Sequence, residues 1–178
     1  MTQQRRTDPV LLIVGAFSKH LDAVDWAFAR LPVRFGPIAF LSPPYQFTQT
    51  RYYERTMGLG LQKQFAVFEQ LIEADSLADI KLFTNELEDA IRLERAYAEP
   101  RPLNLDPGIL SLGKFMLATT KDQAHRIYLG RGIFAEVTLR YGGGAFQPWP
   151  WTYADYRQEL VLTFMNRARE FYRGKLRG

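Results

Sequence analysis

Between Ile133 and Tyr141 the chain alternates: Ile133, Ala135, Val137, Leu139 and Tyr141 are separated by Phe134, Glu136, Thr138 and Arg140. A period of two fits an extended strand with one face in a core and does not fit a helix. The preceding Arg126–Leu129 and the turn Gly130-Arg131-Gly132 make a hairpin with it. If the turn centres on Arg131, Ile127 faces Ala135, Leu129 faces Ile133, Tyr128 faces Phe134 and Arg126 faces Glu136. Slipping by one residue would carry Arg126 onto the apolar side, so the pattern favours this register, with Ile127 and Leu129 on the core face. A second turn, Gly142-Gly143-Gly144, leads into Ala145–Trp149 and completes a β-meander.

Upstream, Val10–Phe17 is apolar nearly throughout, as expected of a strand buried on both faces. Gly15 and Ser18 then suggest a turn into a helix capped by Ser18, with Leu21, Val24, Phe28 and Leu31 on its buried side. That turn could offer backbone N–H groups to an anion, although an ordinary strand-to-helix connection is the better explanation, since almost every β-α unit has one. Gly36-Pro37 ends the helix, and Ile38–Leu41 reads as a short strand before Pro43-Pro44. Leu61, Phe65, Phe68 and Ile72 recur at helical spacing and predict a helix over 59–72. A second, acidic helix follows, with Ser76 as cap, Asp79 as box acid and Leu77, Ile80, Phe83, Leu87 and Ile91 as its stripe. Glu99-Pro-Arg-Pro102 reads as a hinge, Leu103–Asp106 as a strand turned by Pro107-Gly108, and Ile109–Thr120 as strand or broken helix. Thr152, with Asp155, caps a C-terminal helix carrying Leu160, Phe164, Ala168 and Phe171. The expected class is α+β: a single domain over 10–173 with a mostly antiparallel sheet and about four helices, flanked by a disordered tail at 1–9 and a flexible one at 174–178.

The chain of 178 residues has no cysteine, which removes disulfides, thiolate metal sites and cysteine nucleophiles. The polar start MTQQRRTDP and the short apolar run after it suit neither a secretory leader nor a membrane span, so a cytoplasmic location is expected. Charge is uneven. Residues 1–100 carry 11 Lys/Arg against 13 Asp/Glu, and 101–178 carry 12 against 6, with Arg167, Arg169, Arg173, Lys175 and Arg177 concentrated near the end.

Phosphate-loop, dinucleotide, zinc-protease and serine-hydrolase signatures are absent. What remains is a polar constellation between Asn104 and Thr138: Asp106, Lys114, Lys121, His125, Arg126 and Glu136. Asp106 and Glu136 could bind a divalent metal ion or act as bases. His125 could move a proton near neutral pH, and Lys121 and Arg126 could clamp an anion. The same residues could equally form solvated ion pairs. Tyr52, Tyr53, Trp149, Trp151, Tyr153 and Tyr156 lie in turn-rich segments where rings could stack on a ligand or cover a core edge.

Tyr52-Tyr53-Glu54 with Met57-Gly58, Ile80-Lys81 with Thr84-Asn85-Glu86-Leu87-Glu88, Asn104-Leu-Asp-Pro-Gly108, Leu117-Ala-Thr-Thr-Lys121, His125-Arg-Ile-Tyr-Leu129, Ala135-Glu-Val-Thr-Leu139 and Trp151-Thr-Tyr with Asp155-Tyr156 form an ordered series. In this series the chain resembles the bacterial and archaeal family called domain of unknown function 4416. Ile109 and Thr56 depart from the family pattern, which usually has Tyr and an acid there. The resemblance implies a stand-alone cytoplasmic protein and brings no established activity. Some relatives are labelled GTP-binding, but neither a phosphate loop nor an N-K-x-D motif supports that label here. It also implies that Tyr53, Asn85 and Asn104 join the constellation as ligand-binding residues. Two functions fit. One is a polar cleft for an anionic, phosphorylated small ligand, in the form of a metal-assisted hydrolase or transferase with His125, Asp106 and Glu136 as its catalytic groups. The other is a non-catalytic module that contacts RNA or a protein through its basic C-terminal helix. Nucleic acid is the less expected partner, because the tail has few charges and no interleaved rings.

Overall fold

The computed structural model describes residues 7–178; of the expected N-terminal tail, 1–6 lie outside the described residues. The run Val10–Ser18 is strand β1, buried along its whole length. Gly15 and Ser18 thus belong to the strand. Helix α1 (Leu21–Phe35) starts later, without a side-chain cap. Ser18 donates to the Pro102 carbonyl at 2.5 Å and accepts from the His20 N–H. Val24, Phe28 and Leu31 are buried as expected, while Leu21 is exposed. Gly36 ends α1 with φ 79°, and β2 (Ile38–Leu41) and β3 (Tyr45–Gln46) follow, then the short helix α2 (Glu54–Met57).

The expected helix over 59–72 is instead strand β4 (Gln62–Ile72). It lies between β1 and β2 in the interior of the sheet. Both its faces are covered, Phe65 and Val67 by one cluster and Ala66 and Phe68 by the other, so it shows no alternation and its apolar spacing imitates a helix. Helix α3 (Leu77–Glu94) follows. Ser76 precedes it, but its hydroxyl bonds the Glu73 carbonyl and not the helix N–H groups. Strand β5 (Asn104–Leu110) continues straight through Pro107-Gly108. Pro107 fits because pairing with β6 (Lys114–Thr119) is confined to Gly108–Leu110 against Phe115–Leu117, so no strand faces it on that side. Gly108 is required by close approach: a Cβ would lie 2.5 Å from the Phe115 ring and 2.7 Å from the Met116 carbonyl oxygen.

Strands β7 (Ile127–Gly130), β8 (Ile133–Gly142) and β9 (Ala145–Pro148) complete a nine-stranded antiparallel sheet. Ile127 pairs with Ala135 and Tyr128 with Phe134 as expected, but a bulge brings Gly130, not Leu129, opposite Ile133. Ile127 is 70% exposed, since β7 is the last strand of the sheet and its side chains stand in solvent. A second bulge, at Phe115/Met116 opposite Leu139 and Val137, splits the apolar set of β8. Ile133 and Ala135 pack toward α3, whereas Leu139 packs toward the C-terminal helix.

That helix, α4, spans Glu159–Lys175 and follows a 3-10 turn at Ala154–Arg157. Thr152 does not cap it; its hydroxyl bonds the Thr138 carbonyl. The buried face of α4 is Val161, Phe164, Met165, Ala168 and Tyr172, with Leu160 exposed. Of the expected C-terminal tail, Gly174 and Lys175 form the last turn of α4 and Leu176 packs against the core. The architecture is α+β around one sheet. Helices α1 and α3 cover one face and α4 the other. Among the described residues no helix is long and apolar enough to cross a membrane.

Candidate functional site

Because β5 and β6 pair over only three residues, the strands part beyond Gly108 and Leu117, and the sheet splits on the face that α4 covers farther along. A cavity of about 530 Å³ opens there. Phe17, Phe47, Tyr52 and Tyr53 line one side, and Tyr153, Asp155 and Tyr156 of the turn before α4 line another. Its volume lies in the range of small-molecule sites. Five cationic side chains reach it (Lys63, Lys81, Arg101, Lys121, Arg126) against three carboxylates (Asp106, Glu136, Asp155).

Asn104 and Asp106 alternate with Leu103 and Leu105 on β5, so the leucines enter the core beside α1 and α3 while the polar pair faces the cleft. Asn104 donates to Asp106 Oδ1 at 2.8 Å, and Arg101 donates to the Asn104 side-chain Oδ1 and to the Glu88 carboxylate. Glu136 on β8 and Arg126, just before β7, are almost fully buried, 1% exposed each at the side chain. Glu136 Oε2 accepts from Arg126 Nε at 2.9 Å and meets His125 Nε2 at 3.1 Å, and its Oε1 accepts from Thr138 at 3.2 Å. Arg126 also donates to the Lys121 carbonyl at 2.9 Å and the Tyr153 hydroxyl at 2.7 Å. Burial opposes the guanidinium charge, and the bonds to Glu136 and Tyr153 outweigh it and raise its pKa.

The floor of the cleft is Lys63, 1% exposed. Gly15 makes room for it, since a Cβ there would lie 3.2 Å from Lys63 Cε. Its ammonium is 2.7 Å from Asp155 and 3.7 Å from Asp106. It sits among the rings of Phe17, Phe47, Phe65 and Tyr156, 4.4 to 5.5 Å from their centroids. Burial disfavours its charge, but Asp155, with Tyr156, Tyr45 and Asp106, holds its pKa well above the ordinary lysine value.

Lys81 differs in kind. It is 5% exposed on α3, and its ammonium reaches the split in the sheet, donating to the Leu105 carbonyl at 2.7 Å. Among the described residues no carboxylate is within ion-pair distance of it. Glu88, which feels its charge, spends Oε1 on the Leu105 N–H and Oε2 on Arg101. Lys121 makes no side-chain hydrogen bond or ion pair among the described residues; its ammonium rests 4.0 Å over the exposed Tyr52 ring.

Of the residues expected from sequence, Asp106, Glu136, Lys121, Arg126, Asn104 and Tyr53 all line this one cleft. Three others do not. His125 stands behind Glu136, stacked on Trp151 at 5.5 Å. Asn85 lies one turn past Lys81 on α3 and is not among the lining residues. Lys114, at the opposite end of β6, is exposed. Asp106 and Glu136, the residues expected to hold a divalent metal ion, both line the cleft, and among the described residues no three His, Asp or Glu side chains gather there. Glu136 already accepts from a guanidinium, and Asp106 faces a lysine and an amide. Sequence reasoning missed Lys63, Lys81, Arg101 and Asp155. Lys81 had left a signal, as it occupies a position on the buried stripe, four residues from Leu77 and three from Thr84, where a charge needs a reason.

No curated protein and no solved structure matches the chain. The sequence profile of one family, described as a domain of unknown function (DUF4416), matches residues 8–172, nearly the whole of the chain including every residue that lines the cleft, and the protein therefore belongs to the DUF4416 family.

Proposed function

We propose that the protein acts in the cytoplasm and that its cleft binds an anionic, phosphorylated small ligand. The observation that carries this reading is Lys81. A buried ammonium is costly unless paired, yet among the described residues this one has a single neutral acceptor, which leaves two of its three N–H donors unspent beside a cavity. Lys121 and the remaining N–H groups of Arg101 add donors at the same cleft. An anion would complete all of them. Asp106, with its side chain 26% exposed, is the cleft carboxylate most open to a ligand.

The basic helix α4 offers less to an RNA or protein partner. Arg173 pairs with Glu170 at 2.7 Å and Lys175 with Glu69 at 3.4 Å. Arg169 bonds the Leu112 carbonyl at 2.7 Å, and Arg167 stacks 4.1 Å over Phe40. These charges are spent on the protein's own surface.

Inorganic phosphate and pyrophosphate, titrated while thermal unfolding is followed, test the reading with sodium chloride at equal ionic strength as the control. Ligand at 100 times its Kd stabilises by about 2.7 kcal/mol, so a rise of several degrees in Tm is expected. Lys81→Met removes a buried charge for an apolar side chain of similar length and should leave the fold intact while weakening the response at least tenfold. Either no response of the parent protein to these anions, or an undiminished response of the variant, overturns the proposal.

A further inference from the structure

Resting on the phosphorylated-ligand reading, we infer that the cleft selects a phosphate monoester that also carries hydroxyl groups, a sugar- or polyol-phosphate, over simple alkyl phosphates and over phosphodiesters. The unpaired charges in the cleft favour a dianion. Of the five cations in the cleft, Lys63 and Arg126 are each neutralised by a buried carboxylate, Asp155 and Glu136, and Arg101 by Glu88. The fourth carboxylate, Asp106, lies 3.7 Å from the already paired Lys63, so the two cations with no ion-pair partner among the described residues are Lys81 and Lys121. A terminal phosphoryl group carries a charge of about −1.5 to −2 near neutral pH, which matches two lysines. A phosphodiester or a carboxylate brings only one negative charge and leaves one of the two unmatched.

Asp106 sets the preference for hydroxyl groups. Its carboxylate faces the same cavity and follows directly on Leu105, whose carbonyl holds Lys81. A carboxylate beside an anion site would repel a ligand that is anionic throughout. It suits one whose uncharged portion presents hydrogen-bond donors. Asp106 has an acceptor oxygen to spare: Asn104 holds Oδ1, and the Lys63 ammonium lies 3.7 Å from Oδ2, beyond hydrogen-bond distance. The Asn104 amide bond fixes the direction in which that carboxylate points. Ligand hydroxyls donate to such a group, and bonds to a charged acceptor are about twice as strong as neutral ones. The exposed Tyr153 ring supplies a flat flank to the same space.

Calorimetric titration of the full chain with methyl phosphate, dimethyl phosphate, glycerol 3-phosphate and ribose 5-phosphate separates the possibilities. Methyl phosphate should bind at least tenfold more tightly than dimethyl phosphate, and the two hydroxylated esters about tenfold more tightly again than methyl phosphate. Asp106→Asn should abolish the second step, bringing the hydroxylated esters down to methyl phosphate, while methyl phosphate itself binds as well or better. Lys121→Met should compress the first step. If methyl and dimethyl phosphate bind alike, or if hydroxyl groups add nothing, the inference fails while the phosphate-binding reading stands. If neither inorganic phosphate nor any ester binds, both fail. Circular dichroism of each variant confirms that a loss of binding is not a loss of fold.

Discussion

Replacing Lys63 by Met tests whether the floor of the cleft is also a keystone of the fold. The ammonium joins β4 to Asp155, 92 residues later in the chain, and stands beside Asp106 of β5. Removing it leaves the Asp155 side chain, 6% exposed, without its ion-pair partner in an aromatic surround. Truncating one member of a buried pair costs about 3–5 kcal/mol. At about 2–4 °C per kcal/mol for a chain of this size, Tm should fall by roughly 6–20 °C. Urea denaturation followed by circular dichroism and by tryptophan fluorescence gives the free energy. The control is Lys63→Met with Asp155→Leu, which replaces the whole pair by apolar volume and should recover most of the loss, because such replacements are often neutral. The pH dependence has a definite sign. Since the folded-state pKa of Lys63 is raised, its contribution is fully present below the ordinary lysine value of about 10.4 and fades only as pH climbs through the higher folded value. The gap between parent and Lys63→Met should therefore be flat from neutral pH to about pH 10 and narrow above it. A single variant that loses less than about 1 kcal/mol, or a double variant whose loss is the sum of the two singles, would show that the pair does not hold these segments together.

Gly108→Ala should destabilise by about 1–3 kcal/mol, measured by urea unfolding, because the added methyl meets the Phe115 ring and the Met116 carbonyl at well under van der Waals distance; an unchanged midpoint would mean the strands can separate there without cost. Glu99 is held down to about 2 by hydrogen bonds from His20 and Lys19, so its contribution is present above the ordinary carboxylate value and is lost as pH falls toward 2. Glu99→Gln should accordingly remove stability at neutral pH and flatten the acid limb between about pH 4 and 2, and an acid limb identical to that of the parent would refute it.

The elements that could be read from sequence are those whose burial is either one-sided or complete and uninterrupted. The strand over Ile133–Tyr141 announces itself by alternation, and Val10–Phe17 by being apolar throughout. The α3 stripe is legible because that helix has a solvent face. Strand β4 fails both tests. It opens with Gln62-Lys63-Gln64, polar residues that look like a solvated helix face, and it continues with Phe65–Phe68, which are buried on two sides. The polar opening exists because Lys63 is buried as an ion pair, a fact about Asp155 and the rings of Phe17, Phe47 and Tyr156 that local pattern does not contain. Pro107-Gly108 was misleading for the opposite reason. Both residues carry the local chemistry of a turn, yet here they serve close packing against β6 and the absence of a strand beside Pro107.

The site was legible to the extent that its polar residues interrupt strands. Asn104, Asp106 and Glu136 stand at alternate positions among apolar neighbours, and polarity at a position whose strand is otherwise buried signals a partner or a ligand. Sequence could not say which of the two each had. Glu136 has its partners in Arg126, His125 and Thr138, and so it is part of the wall. Asp106 is only partly engaged, and so it is part of the site. The same distinction separates the two buried lysines. Lys63 and Lys81 are nearly equal in burial, but Lys63 has its anion in the chain, whereas Lys81 has only a carbonyl. The residue that points to a ligand is the buried charge for which no counter-charge stands within ion-pair distance among the described residues. Finding it requires an account of every acceptor around it, and that account depends on the split between β5 and β6 that brings a helix side chain through the plane of a sheet.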